Sequence, residues 1–386
     1  MQSRAQIRRA QSYAVDPREA VRDFHATVSQ PEMTLVIFFC STEYDLDVIA
    51  EEMRHCFKGI QVVGCTTAGE IGPAGYRTHS ISGASFAAGG FAAVCNRLKD
   101  LQQFEIAASQ GFVQEMLQSL ESRAPQTSPD NSFAFLLIDG LSVREEPVAH
   151  ALQQFLGNIP LVGGSAADGL TFGRTLVYID GHFYCDSAIL ILVTTPLPFR
   201  LFKTQHFVAM DKRIVVTEAD PEHRLVHELD GRPAAEAYAE LVGVNIHELD
   251  SMRFAASPVV VVIDGTNYVR SIQKVNADGS LTFFCAIDEG MVLRVARGTD
   301  LVDNLERTFA AIRSAIGEPQ LVIGCDCILR RQEIVSSNLV ERVANVFLHN
   351  NAIGFNSYGE QYRGVHVNQT LTGIAIGNAA VAVQNA

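Results

Sequence analysis

Gly354-Phe-Asn-Ser-Tyr358-Gly-Glu360-Gln361, followed by Gly364-Val-His366-Val-Asn368-Gln-Thr370-Leu-Thr-Gly373, closes a pattern that this chain uses three times. Each use begins with an apolar strand, passes through a helix, returns as a short strand and breaks at glycine among small polar residues. The first has a strand over 35–40, a helix near 45–57 and then Gln61-Val-Val-Gly64-Cys-Thr66-Thr67-Ala-Gly69-Glu70. The second has a strand over 133–138, a helix near 145–156 and then Pro160-Leu-Val-Gly163-Gly164-Ser165-Ala-Ala-Asp168. The third has a strand over 321–325, a helix near 333–348 and the quoted stretch. Strand start and glycine are 29, 30 and 33 residues apart, counted from Leu35 to Gly64, Phe133 to Gly163 and Leu321 to Gly354. Such regularity predicts one architectural unit used repeatedly.

Glycines followed by small polar residues let a backbone turn sharply and expose its amides. In open α/β sheets, ligands collect at such turns beyond the carboxyl ends of strands. Glu70, Asp168 and Glu360 fall four to six residues after the glycine in each unit, which predicts a cleft lined by acids. Thr66, Thr67, Gly164, Ser165, Asn356, Tyr358 and Asn368 would supply its hydrogen-bonding groups and close backbone approach. The plainer reading is that the glycines make corners and the acids keep them wet. Gly-x-x-x-x-Gly-Lys-Ser/Thr is missing, so none of the turns is a phosphate loop.

The chain has 386 residues, enough for two domains, and its 47% hydrophobic and 19% charged content suits a large buried core. A formal net charge of −13 argues against nucleic acid or an anionic membrane as principal partner. No run approaches the roughly 18 apolar residues of a membrane span. The start, Met1 to Arg9, is basic without the apolar stretch of a secretory signal, so a cytoplasmic protein is expected. Eight cysteines, most within apolar runs, read as buried thiols. Cys325-Asp-Cys327 has no second pair at zinc spacing.

The expected class is α/β to α+β, two-domain, with recurring strand–helix–strand–glycine-turn units in mixed sheets. Thr194-Thr-Pro196-Leu-Pro198 breaks the pattern and sets the expected division at 1–197 and 198–386. Asp16-Pro17-Arg-Glu19 starts a helix with a capping acid and proline in its first turn. Hairpins are expected for 82–88 with 91–96 across Gly89-Gly90, and around Asp180-Gly181. A third should pair 268–275 with 281–286.

At Gly64-Cys-Thr-Thr-Ala-Gly-Glu70, at Val216-Thr217 with Leu229-Asp-Gly231-Arg-Pro233-Ala, and at Tyr358-Gly-Glu360 with Asn368-Gln-Thr370, the chain resembles FIST-domain sensory proteins. The likeness covers nearly the whole length, an N-terminal FIST module followed by a C-terminal one. Within the family it is similar to the bacterial haem-binding nitric oxide sensors called NosP. That likeness rests on Phe202-Lys203-Thr-Gln-His206-Phe207, Cys325-Asp326-Cys327-Ile-Leu-Arg330-Arg331, and Gly364-Val-His366-Val-Asn368-Gln-Thr370. It implies non-covalent haem b, a response to nitric oxide, and output through a separate sensor histidine kinase or a diguanylate cyclase or phosphodiesterase. Homo-oligomers are compatible with it.

Haem needs an apolar slot, an axial side chain and cations for its propionates. Of eleven histidines, His206 and His366 sit in apolar strand contexts and are the candidates, with His206 the favoured iron ligand. Either could equally be a satisfied core residue. Arg270, Lys274 and Arg294 are candidate propionate partners or solvent-facing cations. No Cys-x-x-Cys-His occurs, which excludes covalent attachment. The rival reading is a haem-free sensor of an amino acid-like molecule in the glycine-turn cleft. No enzyme is expected: Gly-x-Ser-x-Gly is absent, and nothing near Cys65 in sequence activates a thiolate.

Overall fold

The computed structural model describes residues 7–263 and 265–378 and places three copies of one unit around a common core. The first unit runs through strand Ile7–Ser12, helix Pro17–Val28, strand Met33–Ser41, helix Leu46–Cys56, strand Gln61–Thr67, the hairpin Glu70–Gly72 with Gly75–Arg77, and strand Ile81–Ala87. The second repeats that order from Ala92–Lys99 through helix Ile106–Arg123, strand Ser132–Ile138, helix Glu145–Leu156 and strand Leu161–Ser165 to Ser187–Thr194, with the hairpin Val177–Ile179 and His182–Tyr184. The third spans Phe199–Thr204 to Leu371–Ile376, with helix Leu301–Ile316, strand Leu321–Cys327, strand Ala352–Ser357 and the hairpin Glu360–Tyr362 with Val365–Val367.

Each unit builds a sheet of four of its own strands, ordered first, last, second, third, and a borrowed hairpin completes the edge. The hairpin of the first unit joins the sheet of the third, that of the second joins the first, and that of the third joins the second. Second and third strands pair in parallel, from Leu35 with Gln61 to Ser41 with Thr67, and likewise in the other two units. Parallel pairing needs a crossover helix, which accounts for the strand–helix–strand rhythm of the sequence. Strands buried on both faces read as unbroken apolar runs, as in Phe133–Ile138. Their inner faces meet in one core that includes Phe39, Cys65, Phe135, Leu137, Ile323 and Phe355. The helices cover the outer faces. The expected fold class and its recurring unit are the architecture observed.

Gly64, Gly163 and Gly354 lie inside their strands and make no corner. A Cβ on any of them would collide with the backbone carbonyl of the partner residue in the parallel strand, Phe38, Leu136 or Gly324. Close strand approach, repeated at one position in all three units, is why glycine recurs there. The bend itself falls later, as at Gly69, whose φ of 146° suits glycine alone.

Two expected hairpins are corrected. Ile81–Ala87 pairs with Ile7–Ser12 and Met33–Ser41, whereas Ala92–Lys99 pairs with Ser187–Thr194. Gly89-Gly90 is therefore the crossing from the first unit to the second. The stretch 268–275 breaks at Ser271: Thr266–Arg270 pairs with Val259–Ile263, and Ile272–Val275 with Leu281–Phe283. The expected helix 333–348 is two helices, Ile328–Ser336 and Val340–His349, separated at Asn338 with φ 55°.

Between its first strand and first helix, the third unit carries an inserted β domain extending from Phe207 to Gly298. Its eight-stranded sheet and helices Ala234–Val242 and Ser251–Ala256 enclose a separate core around Val216, Leu229, Tyr238, Phe254, Leu281 and Phe283. The other two units bridge the same place with only 13–16 and 100–105. The expected division at 197/198 lies on the crossing from the second unit to the third. No helix of the described residues is long and apolar enough to cross a membrane.

Candidate functional site

Thr66, Ser165 and Asn356 stand at equivalent positions at or next to the ends of the three third strands, whose corners interlock in a ring. Ala68 N donates to Asn356 O at 3.0 Å, and Asn356 N to Gly69 O at 2.7 Å. Ala167 N donates to Thr66 O at 3.0 Å, while Ser165 N donates to Gly359 O at 2.8 Å and Tyr358 N to Ser165 O at 3.3 Å. The next residues inward are Ala68, Ala167 and Tyr358, which share one apolar cluster with Phe284 of the inserted domain. Two alanines leave the space that one tyrosine fills. Tyr358 stacks on Phe172 with ring centroids 4.6 Å apart, and its hydroxyl donates to the Asp168 carboxylate.

Glu70 and Glu360 lie beneath this ring and do not reach a cleft. Both are fully buried. Glu70 takes the Thr67 hydroxyl and, at 2.8 Å, the Ser80 hydroxyl. Glu360 takes Ser357 at 2.7 Å and Thr370 at 2.6 Å. Burial raises the two carboxyls to about 7 and about 8, although the hydroxyl donors pull the other way. Thr67 Oγ1 also reaches Cys40 O at 3.2 Å. With a single proton it can serve only one acceptor, so a protonated Glu70 donating to Thr67 satisfies both contacts. Asp168 departs from this pattern: it accepts the amides of Phe172, Gly173 and Arg174 at 2.9, 2.7 and 2.7 Å, holding a loop that the other units lack.

That loop opens a cavity of about 560 Å³ above the ring. Ser41, Thr42, Glu43, Thr67, Ala68 and Thr78 of the first unit form one wall, and Asp168 to Thr171 of the second form another. Ile328, Arg331, Gln332 and Val335 project from helix Ile328–Ser336, and Met252 reaches in from the inserted domain. Arg331 donates to Ala68 O, and no carboxylate pairs with it among the described residues. Gln332 Oε1 and Asn356 Oδ1 are buried acceptors without partners, and a Cβ on Gly69 would meet both Asn356 Oδ1 and the Arg331 guanidinium. A half-buried guanidinium, hydroxyls and an apolar flank suit a small molecule that carries a carboxylate.

Of the residues expected in a cleft, Thr67 and Asp168 line this cavity. Tyr358 props the loop, and Thr66, Gly164, Ser165, Asn356 and Asn368 are buried behind it. Arg331, Thr42, Gln332 and Met252 escaped the sequence reading. The first of these was legible in principle: it follows a strand end by four residues, where open α/β sheets place ligands.

Haem fits neither favoured imidazole. His206 Nδ1 accepts from Arg330 at 3.4 Å, and its Nε2 donates to Glu333 at 2.9 Å, so neither nitrogen offers a free lone pair. Arg330 in turn binds Asp326 at 2.6 Å, and Tyr76 donates to the same carboxylate at 2.5 Å. His366 Nδ1 takes the Gln361 amide at 3.3 Å. Its Nε2 is pressed against Gly359, where a Cβ would sit 2.7 Å away, leaving no slot for a porphyrin. Burial lowers the His366 imidazole despite the nearby Glu146 and Glu145. Arg270 is buried and donates to His366 O at 3.3 Å, Lys274 is exposed and Arg294 is half-buried on a different strand. The cations are not gathered around one slot. Burial also pushes the Cys65 thiol well up, the reverse of activation.

The FIST N domain matches residues 34–232 and the FIST C domain residues 234–363. An uncharacterized protein of Methanocaldococcus jannaschii is 24% identical over 265 residues, 60% of this chain. The chain spans about half the length of that relative. Among solved structures, a cyanuric acid hydrolase from A. caulinodans aligns over 97% of this chain and 99% of its own at 10% identity and a TM-score of 0.39. A second cyanuric acid hydrolase structure aligns over 96% and 99% at 10% identity and a TM-score of 0.36.

Proposed function

This chain belongs to the FIST family, carrying both its N and C domains, and from that premise we propose that it is a non-catalytic sensory protein for a small, amino acid-like carboxylate bound in the cleft above the ring. A sensory signal-transduction role is what FIST domains bring. The observation that carries the ligand class is Arg331, half-buried in a hydroxyl-lined cavity and within salt-bridge distance of no carboxylate among the described residues, although Glu43 and Asp168 also line that cavity. The carboxylate pairs with the Arg331 guanidinium. The ammonium takes the orphaned Gln332 oxygen, and the side chain lies on Leu170, Ile328, Val335 and Met252. Output passes to a separate signalling protein, for which the family resemblance favours a sensor histidine kinase or a cyclic-di-GMP enzyme.

Titration calorimetry with L-leucine, a carboxylate with an apolar side chain, tests this reading. Binding in the wild type that falls at least ten-fold in Arg331→Ala supports it, since a charged hydrogen bond is worth about 1.5–3 kcal/mol. Equal affinity in both proteins refutes it.

A further inference from the structure

Helix Ile328–Ser336 has two working faces. Arg331 and Gln332 project into the cavity, and Arg330 and Glu333 point away from it to grip His206. His206 is the last residue before the inserted domain, and Thr299 is the first residue after it. The two ends are clasped: Thr299 donates to His206 O through its amide at 2.7 Å and its hydroxyl at 2.8 Å. One helix thus holds both the ligand groups and the point where the whole inserted domain joins the body.

Elsewhere the inserted domain docks through the apolar contact of Phe284 with the ring and through a set of polar contacts. Arg224 Nη2 reaches Glu145 at 2.6 Å and Glu146 at 2.7 Å at the start of a second-unit helix, and the Ala286 amide reaches Glu146 at 2.9 Å. Ser271 donates to Gln369 at 3.0 Å, and Gln369 donates to Ala255 O at 2.8 Å. An interface with so large a polar share allows relative domain motion. Met252, on helix Ser251–Ala256 of the same domain, forms part of the cavity wall and is still 48% exposed.

We propose that the inserted β domain is the arm that reports cleft occupancy, pivoting at the His206–Thr299 clasp and set by the Glu333–His206 contact, with Met252 touching the ligand. This rests on the cleft being the sensing site. A ligand drawn toward Arg331 and Met252 binds both the helix and the arm, so it favours the arm position in which both contacts are made.

Spin labels at Met210→Cys on the arm and Gln118→Cys on the second unit, in a Cys185→Ser background, report arm position by pulsed electron resonance. Met210 and Gln118 are both exposed. Without any ligand, Glu333→Ala is expected to shift or broaden the distance distribution, and Glu333→Gln, which keeps an acceptor for His206, to restore it. An unchanged distribution in Glu333→Ala, with native circular dichroism, overturns the pivot. Saturating L-leucine is expected to narrow or move the wild-type distribution. If L-leucine binds by calorimetry and the distance stays fixed, the arm is refuted. If it does not bind, the ligand assignment fails, and the Glu333 variants still decide the pivot.

Discussion

Glu70 and Glu360 hold the same clamp in two different units: each is bound by a hydroxyl three residues before it and another ten residues after it. Thr67 and Ser80 serve the first, Ser357 and Thr370 the second. Each glutamate opens a hairpin that leaves its own unit to complete the sheet of another. The clamps therefore fix the exchange that binds the three units into one body.

The clamps give stability a pH dependence of definite sign. Burial raises Glu70 to about 7, so the folded state holds this proton more tightly than the unfolded chain does. Its contribution is fully present below the ordinary carboxyl value near 4.5 and is lost as pH rises through about 7. The shift corresponds to about 3 kcal/mol. Glu70→Gln mimics the protonated acid. It is expected to flatten the fall in melting temperature between pH 5 and 8 and to be more stable than wild type at pH 8. An unchanged slope would show that Glu70 is ionised in the folded protein.

Gly354 and its parallel partner Gly324 should respond differently to alanine. A Cβ on Gly354 collides with the Gly324 carbonyl, whereas one on Gly324 meets the end of the Leu371 side chain at 3.2 Å and the Ile353 carbonyl at an ordinary 3.9 Å. Gly354→Ala is expected to cost about 3 kcal/mol in chemical denaturation, at the upper end of overpacking, and Gly324→Ala under about 1 kcal/mol. Equal costs would contradict close strand approach as the reason for the recurring glycine.

Arg224 sits between Glu145 and Glu146, with side-chain exposures of 9%, 1% and 27%. Burial alone would raise the Glu146 carboxyl, but His366 and Arg224 hold it below its ordinary range. Arg224→Met removes the cation and is expected to destabilise by about 3 kcal/mol at pH 7, because a buried charge loses its partner. Urea denaturation checks this, and a loss below about 1 kcal/mol would mean that water replaces the arginine.

Haemin added to the purified protein is expected to produce no histidine-ligated Soret band, and His206→Ala no change in the optical spectrum. A Soret band lost in His206→Ala would show that the Arg330–His206–Glu333 contacts open to admit the group.

The unit, its parallel strands and their crossover helices were legible because double-sided burial writes apolar runs and helix-length intervals into the sequence. Hairpin exchange was not legible, since pairing partners lie up to 285 residues away, as Phe355 and Glu70 do. Glu70 and Glu360 were found as recurrent acids, yet their neighbours Thr67, Ser80, Ser357 and Thr370 turn them inward. Hydroxyls three before and ten after an acid carry no familiar signal. The break at Thr194 to Pro198 was legible, but the place of the inserted domain inside the third unit shows only when Phe199–Thr204 pairs with Leu371–Ile376. Arg331 hid behind its neighbour: two adjacent arginines look alike in sequence, and the helix sends one into the core and the other to the cavity.

The cleft as a carboxylate-sensing site is tested most directly by a thermal-shift panel of the twenty amino acids on wild type and Arg331→Ala side by side. A rise in melting temperature with one or more of them in the wild type, absent in Arg331→Ala of equal unliganded stability, is the expected result. No rise with any of them, or a rise that persists without the guanidinium, contradicts it.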